Sequence, residues 1–262
     1  AVAEVRVVDE PVTVVVSQKG WVRAQKGWAK DRATPAEYSF KSGDTLYAAF
    51  ECRSVDHLLV FGSNGRVYSV AVAALPGARG DGTPCSSLIE LESGTQIVHF
   101  FAGPASAQLL LSSSGGYGFL ATLESMLSRQ RGGKSFVSVG EGESLCRPSH
   151  AAGVAQGLTL APATHVACAS TGGRILTFEI VELKAMEKGG RGLMLMDLEP
   201  KDALAGAAAY TRSVRIEGVG RGGKAREEQL EIRSLNNARG ARGRKGKSTD
   251  LGFKPATVLR VE

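Results

Sequence analysis

The stretch HLLVFGSNGRVYSVAV, residues 57–72, decides the fold. An apolar run ends at Gly62, a short Ser-Asn-Gly turn follows, and a second apolar run begins at Val67. Val, Leu, Phe and Tyr favour extended backbone, and Asn64-Gly65 is a strong two-residue hairpin signal because both residues tolerate positive φ. The segment reads as a β-hairpin. One hairpin cannot bury its own face, so the chain needs similar units to pack against.

It supplies them. VTVVVSQKGWVRAQKG (12–27), QLLLSSSGGYGFLATL (108–123) and HVACASTGGRILTFEI (165–180) repeat the arrangement, with Gly20, Gly65, Gly116 and Gly173 aligned at spacings of 45, 51 and 57. A weaker fifth copy, VRIEGVGRGGKAREEQLEI (214–232), places Gly220 in register. Hairpin units recurring every 40–50 residues are the mark of a propeller-like disc. The expectation is an all-β, five-bladed assembly with repeats at 12–56, 57–106, 107–163, 164–213 and 214–262. Only Glu124–Arg129 and Glu182–Lys188 are expected to form helical turns.

Composition agrees. Glycine supplies 33 of 262 residues without a G-X-Y period, which excludes collagen and suits many tight turns, and 43% hydrophobic content argues against global disorder. The net charge of +6 is concentrated: residues 211–247 hold eleven Lys/Arg against four acids, as suits a polyanionic partner. Cys52, Cys85, Cys146 and Cys168 form no C-x-x-C pair and lie apart from His57, His99, His150 and His165, so a metal site is not expected. Separated cysteines suit reduced thiols in a cytosol. AVAEVRVVDE does not read as a signal peptide, and no apolar run reaches the ~18 residues of a membrane helix.

The tempting nucleotide motifs fail on spacing. In LSRQRGGKSF (127–136), Ser128 stands where a P-loop needs its first glycine, and Phe136–Val139 alternates like a strand rather than opening a helix. Residues 218–223, GVGRGG, fit G-x-G-x-x-G without a following amphipathic helix, and Ala225 replaces the hydroxyl needed after Gly223-Lys224.

GGKS instead belongs to a set. Each hairpin is followed by a basic, glycine-bearing segment: Gln25–Gly27, Ala78–Gly82, Arg129–Lys134, Glu187–Gly192 and Ala238–Lys247. At equivalent phases of a rotationally repeated disc they would form a ring around the rim. Glycine would let backbone N–H groups approach phosphates, and Arg and Lys would neutralise them. The candidate DNA-binding residues are Arg23, Lys26, Arg79, Arg129, Arg131, Lys134, Lys188, Arg191, Arg239, Arg242, Arg244, Lys245 and Lys247. Trp21 and Trp28 suit core packing more than stacking on nucleic acid.

The hairpin repeat with R-G-G-K-like segments resembles the C-terminal domain of bacterial type IIA topoisomerase A subunits, and the topoisomerase IV branch more than the gyrase branch. The residues that carry the likeness are VTVVVSQKGWVRAQKG, YSFKSGDTLYAA (38–49), SNGRVYSV, LPGARGDG and GGYGFLATL. The resemblance implies a β-pinwheel whose basic rim binds and bends double-stranded DNA with little sequence preference, in a ring that is closed, open or spiral. It implies a bacterial cytoplasmic, nucleoid-associated protein acting in decatenation and relaxation. Its partners would be an N-terminal breakage-reunion region and an ATPase B subunit in a heterotetramer, with ATP and Mg²⁺ used by those other domains and no cofactor here. The gyrase motif Q-R-R-G-G-K-G is missing from the first repeat; the nearest match, Gln130–Ser135, is one arginine short and in the third. That departure implies bending without strong wrapping. The family's catalytic tyrosine follows an arginine, and none of the five tyrosines here does, so no strand cleavage is expected of this chain. Thr257–Val261 or Glu4–Val8 would close or cap the disc. The rival readings are a protein-interaction scaffold that uses the faces of the disc, and a hydrolase or lyase propeller, which would need acids and histidines clustered near the axis.

Overall fold

The computed structural model describes residues 6–29, 37–77, 79–155 and 158–261. Each repeat opens with a hairpin and ends with a returning strand. The first gives β1 (Pro11–Ser17), β2 (Trp21–Lys26) and β3 (Leu46–Arg53); the second gives β4 (His57–Gly62), β5 (Arg66–Ala71), β6 (Thr83–Pro84) and β7 (Ile97–Gly103). The third gives β8 (Gln108–Ser112), β9 (Tyr117–Thr122), β10 (Lys134–Ser135), β11 (Ser149–Ala155) and β12 (Leu158–Leu160). The fourth gives β13 (His165–Ser170), β14 (Arg174–Glu179), β15 (Leu193–Met194) and β16 (Leu204–Tyr210); the fifth gives β17 (Ser213–Val219), β18 (Ala225–Glu231), β19 (Lys247–Ser248) and β20 (Lys254–Arg260).

The sheets do not coincide with the repeats. Their orders are β3-β1-β2-β6, β7-β4-β5-β10, β12-β11-β8-β9-β15, β16-β13-β14-β19 and β20-β17-β18. The outermost strand of each of the first four blades is therefore a two-residue strand donated by the following repeat. Among the described residues the fifth blade has three strands. Together they form the five-bladed, antiparallel, propeller-like ring that the repeats predict.

Packing between blades explains the continuous apolar runs. Successive strand residues face opposite sides of a sheet, so Leu58 and Val60 pack toward the first blade with Val14 and Val16, while Leu59 and Phe61 pack toward the third with Leu109 and Leu111. Both faces are buried, so HLLVF carries no polar alternation. Further apolar clusters join the third blade to the fourth and the fourth to the fifth. Among the described residues no such cluster joins the fifth blade to the first. There VRIEGV alternates: Val214 and Ile216 are buried, while Arg215 pairs with Glu217 at 3.0 Å and Glu227 at 3.6 Å on the other face. A central cavity of about 370 Å³ is lined from all five blades, among others by Gln18, Val98, Ser114, Thr171 and Glu217.

Several local expectations change. The residue that closes the fifth hairpin is Gly223, not Gly220. Its N–H bonds the carbonyl of Gly220, as Gly65 bonds Gly62 and Gly173 bonds Ser170. The helical turn expected over Glu182–Lys188 falls instead at Ile180–Glu182, α1 occupies Leu123–Met126, and an unexpected α2 spans Ile232–Asn236. Phe136–Val139 forms no strand, only an isolated bridge at Val137; β10 lies just before it at Lys134–Ser135. β20, which contains most of Thr257–Val261, is the inner strand of the fifth blade. Of the N-terminal capping segment, Glu4 and Val5 lie outside the described residues, and Arg6–Val8 form no strand.

Candidate nucleic-acid interface

Four of the five basic segments are the donors of these exchanged strands, and their glycines serve that exchange. Gly82, Gly133, Gly192 and Gly246 immediately precede β6, β10, β15 and β19, all with positive φ. A Cβ on each would run into the carbonyl oxygen of the receiving strand, at Val22, Val67, Gly118 and Ile175 respectively. Only glycine permits this approach. The close backbone contact expected with phosphate is thus made with protein.

Two arginines missed by sequence reasoning hold the donors in place. Arg66 reaches the carbonyls of Gly132 at 2.6 Å and Gly133 at 3.2 Å and the Ser135 hydroxyl at 3.4 Å. Arg174 repeats the pattern on Lys245 O, Gly246 O and Ser248 Oγ at 3.1, 2.8 and 3.1 Å. Both directly follow the hairpin glycine, the one signal that distinguishes them. In the first and third blades that position is aromatic, with Lys41 over Trp21 and Arg191 over Tyr117, both at 3.9 Å from the ring centre.

The donor turns are also bonded to one another in series. Glu90 N–H donates to Arg131 O, and Arg131 Nη2 donates to Ser87 O at 3.2 Å. Gly190 N–H donates to Phe136 O, and Gly243 N–H to Leu195 O. Four turns therefore form a continuous belt along the outer edges of four consecutive blades.

The candidate cations sort on this belt. Arg79, Arg129, Lys188, Arg244 and Lys247 are exposed, with no side-chain hydrogen bond or ion pair among the described residues. Arg191, Arg239 and Lys245 pair with Glu143, Glu179 and Glu199 at 3.4, 2.8 and 3.4 Å. All three are about half exposed, and such pairs are worth ~0–1 kcal/mol, so they exchange readily for another anion. Lys134 lies 5.9 Å from the Phe136 ring centre. Arg242 is committed to the fold, bonding Glu182 O at 3.1 Å and Met194 O at 2.7 Å. Lys26 is exposed at the end of β2, away from the belt: Gly27 N–H closes onto Pro11 O, and Gln25–Gly27 is not a donor segment.

Arg23 requires correction. It is 3% exposed, its guanidinium 5.3 Å from the Phe40 ring centre and reaching Gly80 O at 3.5 Å. Burial beneath the Gly80 turn takes its guanidinium out of reach of a phosphate. Trp28 is core, donating its indole N–H to Cys52 O at 2.8 Å.

Near the axis, His99 bridges Tyr47 Oη and Leu145 O, each at 3.0 Å, which ties three blades together. Burial pushes the His99 ring down to about 4 and the His150 ring likewise to about 4. No cluster of three metal-ligating side chains occurs among the described residues.

Comparison with known proteins decides the family. Residues 56–94 and 164–210 match the model of the DNA gyrase C-terminal domain, beta-propeller. The DNA topoisomerase 4 A subunit of Neisseria gonorrhoeae is 37% identical over 240 residues, 90% of this chain and 30% of the relative. Its Caulobacter vibrioides counterpart is 33% identical over 261 residues, 97% of this chain and 32% of that one. The solved E. coli ParC C-terminal domain superposes with a TM-score of 0.73 at 29% identity, covering 95% of this chain and 98% of that one. The chain belongs to the C-terminal domain family of type IIA topoisomerase A subunits. Within it the likeness is to the topoisomerase IV branch, and the chain spans about a third of those relatives' length. A solved DNA gyrase A C-terminal domain, 15% identical with a TM-score of 0.63, shares the fold.

Proposed function

We propose that this domain binds and bends duplex DNA along its donor-turn belt, as a non-catalytic part of a topoisomerase IV. The observation that supports this is the belt: exposed cations at the outer edges of successive blades, held in fixed relative positions by backbone hydrogen bonds. Lys and Arg contacts to phosphate release condensed counterions, and contacts along a curved edge offset the cost of bending, a few kcal/mol. The turns are unequal. Within its own turn Arg79 is opposed by Asp81, and Lys188 and Arg191 by Glu187, whereas the turns 129–134 and 238–247 contain no acid; in the latter Arg239 and Lys245 pair with Glu179 and Glu199 from other segments and Arg242 is held by the fold. The edges of the second and fourth blades should therefore carry most of the affinity.

Catalysis would lie in the remainder of the full-length protein, with ATP and Mg²⁺ used there and in a partner ATPase. The domain's contribution is to choose which DNA segment is held and how it bends, in decatenation and relaxation in the bacterial cytoplasm. The test is fluorescence anisotropy with a duplex of about 40 base pairs across a salt series. A log–log slope corresponding to roughly 4–8 phosphate contacts is expected. Replacing Arg129 and Arg131 with Ala should lower that slope by about two contacts, equally for unrelated sequences. Absence of binding at low salt defeats the reading.

A further inference from the structure

Four blades receive a donor strand; among the described residues the fifth presents the same acceptor with its edge uncovered. Superposing the hairpins by their hydrogen bonds places Lys224 where Arg66 and Arg174 stand. Ala225 then matches Val67 and Ile175, and Glu227 matches Ala24, Leu120 and Thr177. In the first, third and fourth blades that last residue gives its outward N–H to the arriving segment: Ala24 to Pro76 O, Leu120 to Lys184 O and Thr177 to Ala238 O. The corresponding edge of β18, AREEQLE, is exposed except at Leu230 and pairs on one side only, with β17.

We propose that the β18 edge is a docking site for a basic, glycine-bearing extended segment of a partner protein. The occupant's chemistry is specified by the four filled sites. Each receives a turn in which a glycine of positive φ lies against a receiving carbonyl, and the turns on the second and fourth blades continue as Gly-Lys-Ser. Ala225 offers the equivalent carbonyl. Lys224 is placed to take the occupant's carbonyls as Arg66 and Arg174 do. Glu227, Glu228 and Glu231 make the strand acidic, so a basic segment is favoured by charge. A second copy of β18 is disfavoured, because antiparallel self-pairing would set glutamates near glutamates. The phase of the repeats would assign this edge to the first repeat's own linker, whose Lys30–Ala36 stretch, KDRATPA, lies outside the described residues and, unlike the four donor turns, contains no glycine. The occupant adds a strand, with main-chain bonds supplying affinity and the glycine supplying selectivity.

The probe is a labelled peptide of sequence ARGARGRKGKS, copied from residues 238–248, titrated into the 262-residue chain by anisotropy. Saturable one-to-one binding is expected. Replacing the peptide glycine that corresponds to Gly246 with Ala should weaken it at least tenfold. Glu227→Pro should abolish it while β-sheet circular dichroism is retained, since the proline removes an outward N–H and the exposed ion pair with Arg215 but leaves the pairing with β17 in place. In the unmutated chain, amide exchange at Glu227 should slow when peptide is added, a readout that needs no variant to fold. Binding that is absent, or that survives both the glycine and proline changes, overturns the proposal, the second outcome meaning charge attraction alone. A concentration-dependent dimer dissolved by Glu227→Pro also overturns it, by giving the edge to a second copy. None of these outcomes depends on whether the belt binds DNA.

Discussion

Substituting Gly133 by alanine separates strand exchange from phosphate binding as the reason for the glycine-rich turns. Gly133 has φ +61 and precedes β10. An alanine there carries the left-handed penalty of ~1–2 kcal/mol. Its Cβ would also strike Val67 O and lie 3.0 Å from a ring carbon of Tyr68. Both obstacles are packed, so the donor strand must retreat. Retreat loosens the Lys134–Val67 pairing and the grip of Arg66, a further one or two hydrogen bonds at ~0.5–1.5 kcal/mol each. The sum is about 3 kcal/mol. For a chain of this size each kcal/mol moves the melting temperature by about 2–4 °C, so Gly133→Ala should melt about 6–12 °C lower in a circular dichroism scan. Gly132→Ala is the control: nothing lies within 4 Å of its Cβ and its φ is ordinary, so its effect should stay within ~0.5 kcal/mol. If the two variants melt together while both lose DNA affinity, the glycines serve phosphates and the strand-exchange account is wrong.

Arg66→Ala and Arg174→Ala should each destabilise the chain by about 1.5–3 kcal/mol, the range for hydrogen bonds to a charged group, measured by urea denaturation. His99 and His150 have folded pKa values of about 4 against an ordinary 6.5, owing chiefly to burial, with Arg147 and Arg260 respectively pushing the same way. The unfolded chain therefore binds more protons between those limits. Stability is fully present above pH 6.5 and falls as pH drops toward 4, by up to ~1.4 kcal/mol per pH unit for each ring. A His99→Gln variant should show a shallower fall, and an unchanged profile would refute the assignment. Burial pushes the thiols of Cys52, Cys85 and Cys146 up to about 12 and that of Cys168 higher still. All four should resist alkylation at pH 8 in the native protein and react on unfolding; rapid native labelling would contradict their placement.

The hairpins are legible in the sequence because their signals are local: an apolar run, a turn glycine, another apolar run. The fifth is misaligned by three residues because Gly220, Gly222 and Gly223 offer competing turn positions, and AREEQLE has too little apolar pattern to arbitrate. Donor strands of two residues carry no periodicity at all. Their glycines are explained by a carbonyl on another repeat, 66 residues away in the case of Gly133 and Val67, and no sequence window contains both. The same blindness makes Arg23 look like a rim cation. Val15 stands opposite it on β1 and Phe40 lies beside it, and neither contact follows from its place in WVRAQK.

Strand donation from each repeat to the one before it also imposes an order on biosynthesis. When the second hairpin leaves the ribosome, the first blade still lacks its outer strand and gains it only after Thr83–Pro84 emerges. Every nascent blade thus waits on its successor, and the growing chain always exposes one raw β-edge at its most recent hairpin. Among the described residues that edge reaches β18, where Glu227, Glu228 and Glu231 make the exposed strand acidic, a composition that disfavours pairing between like edges of neighbouring chains.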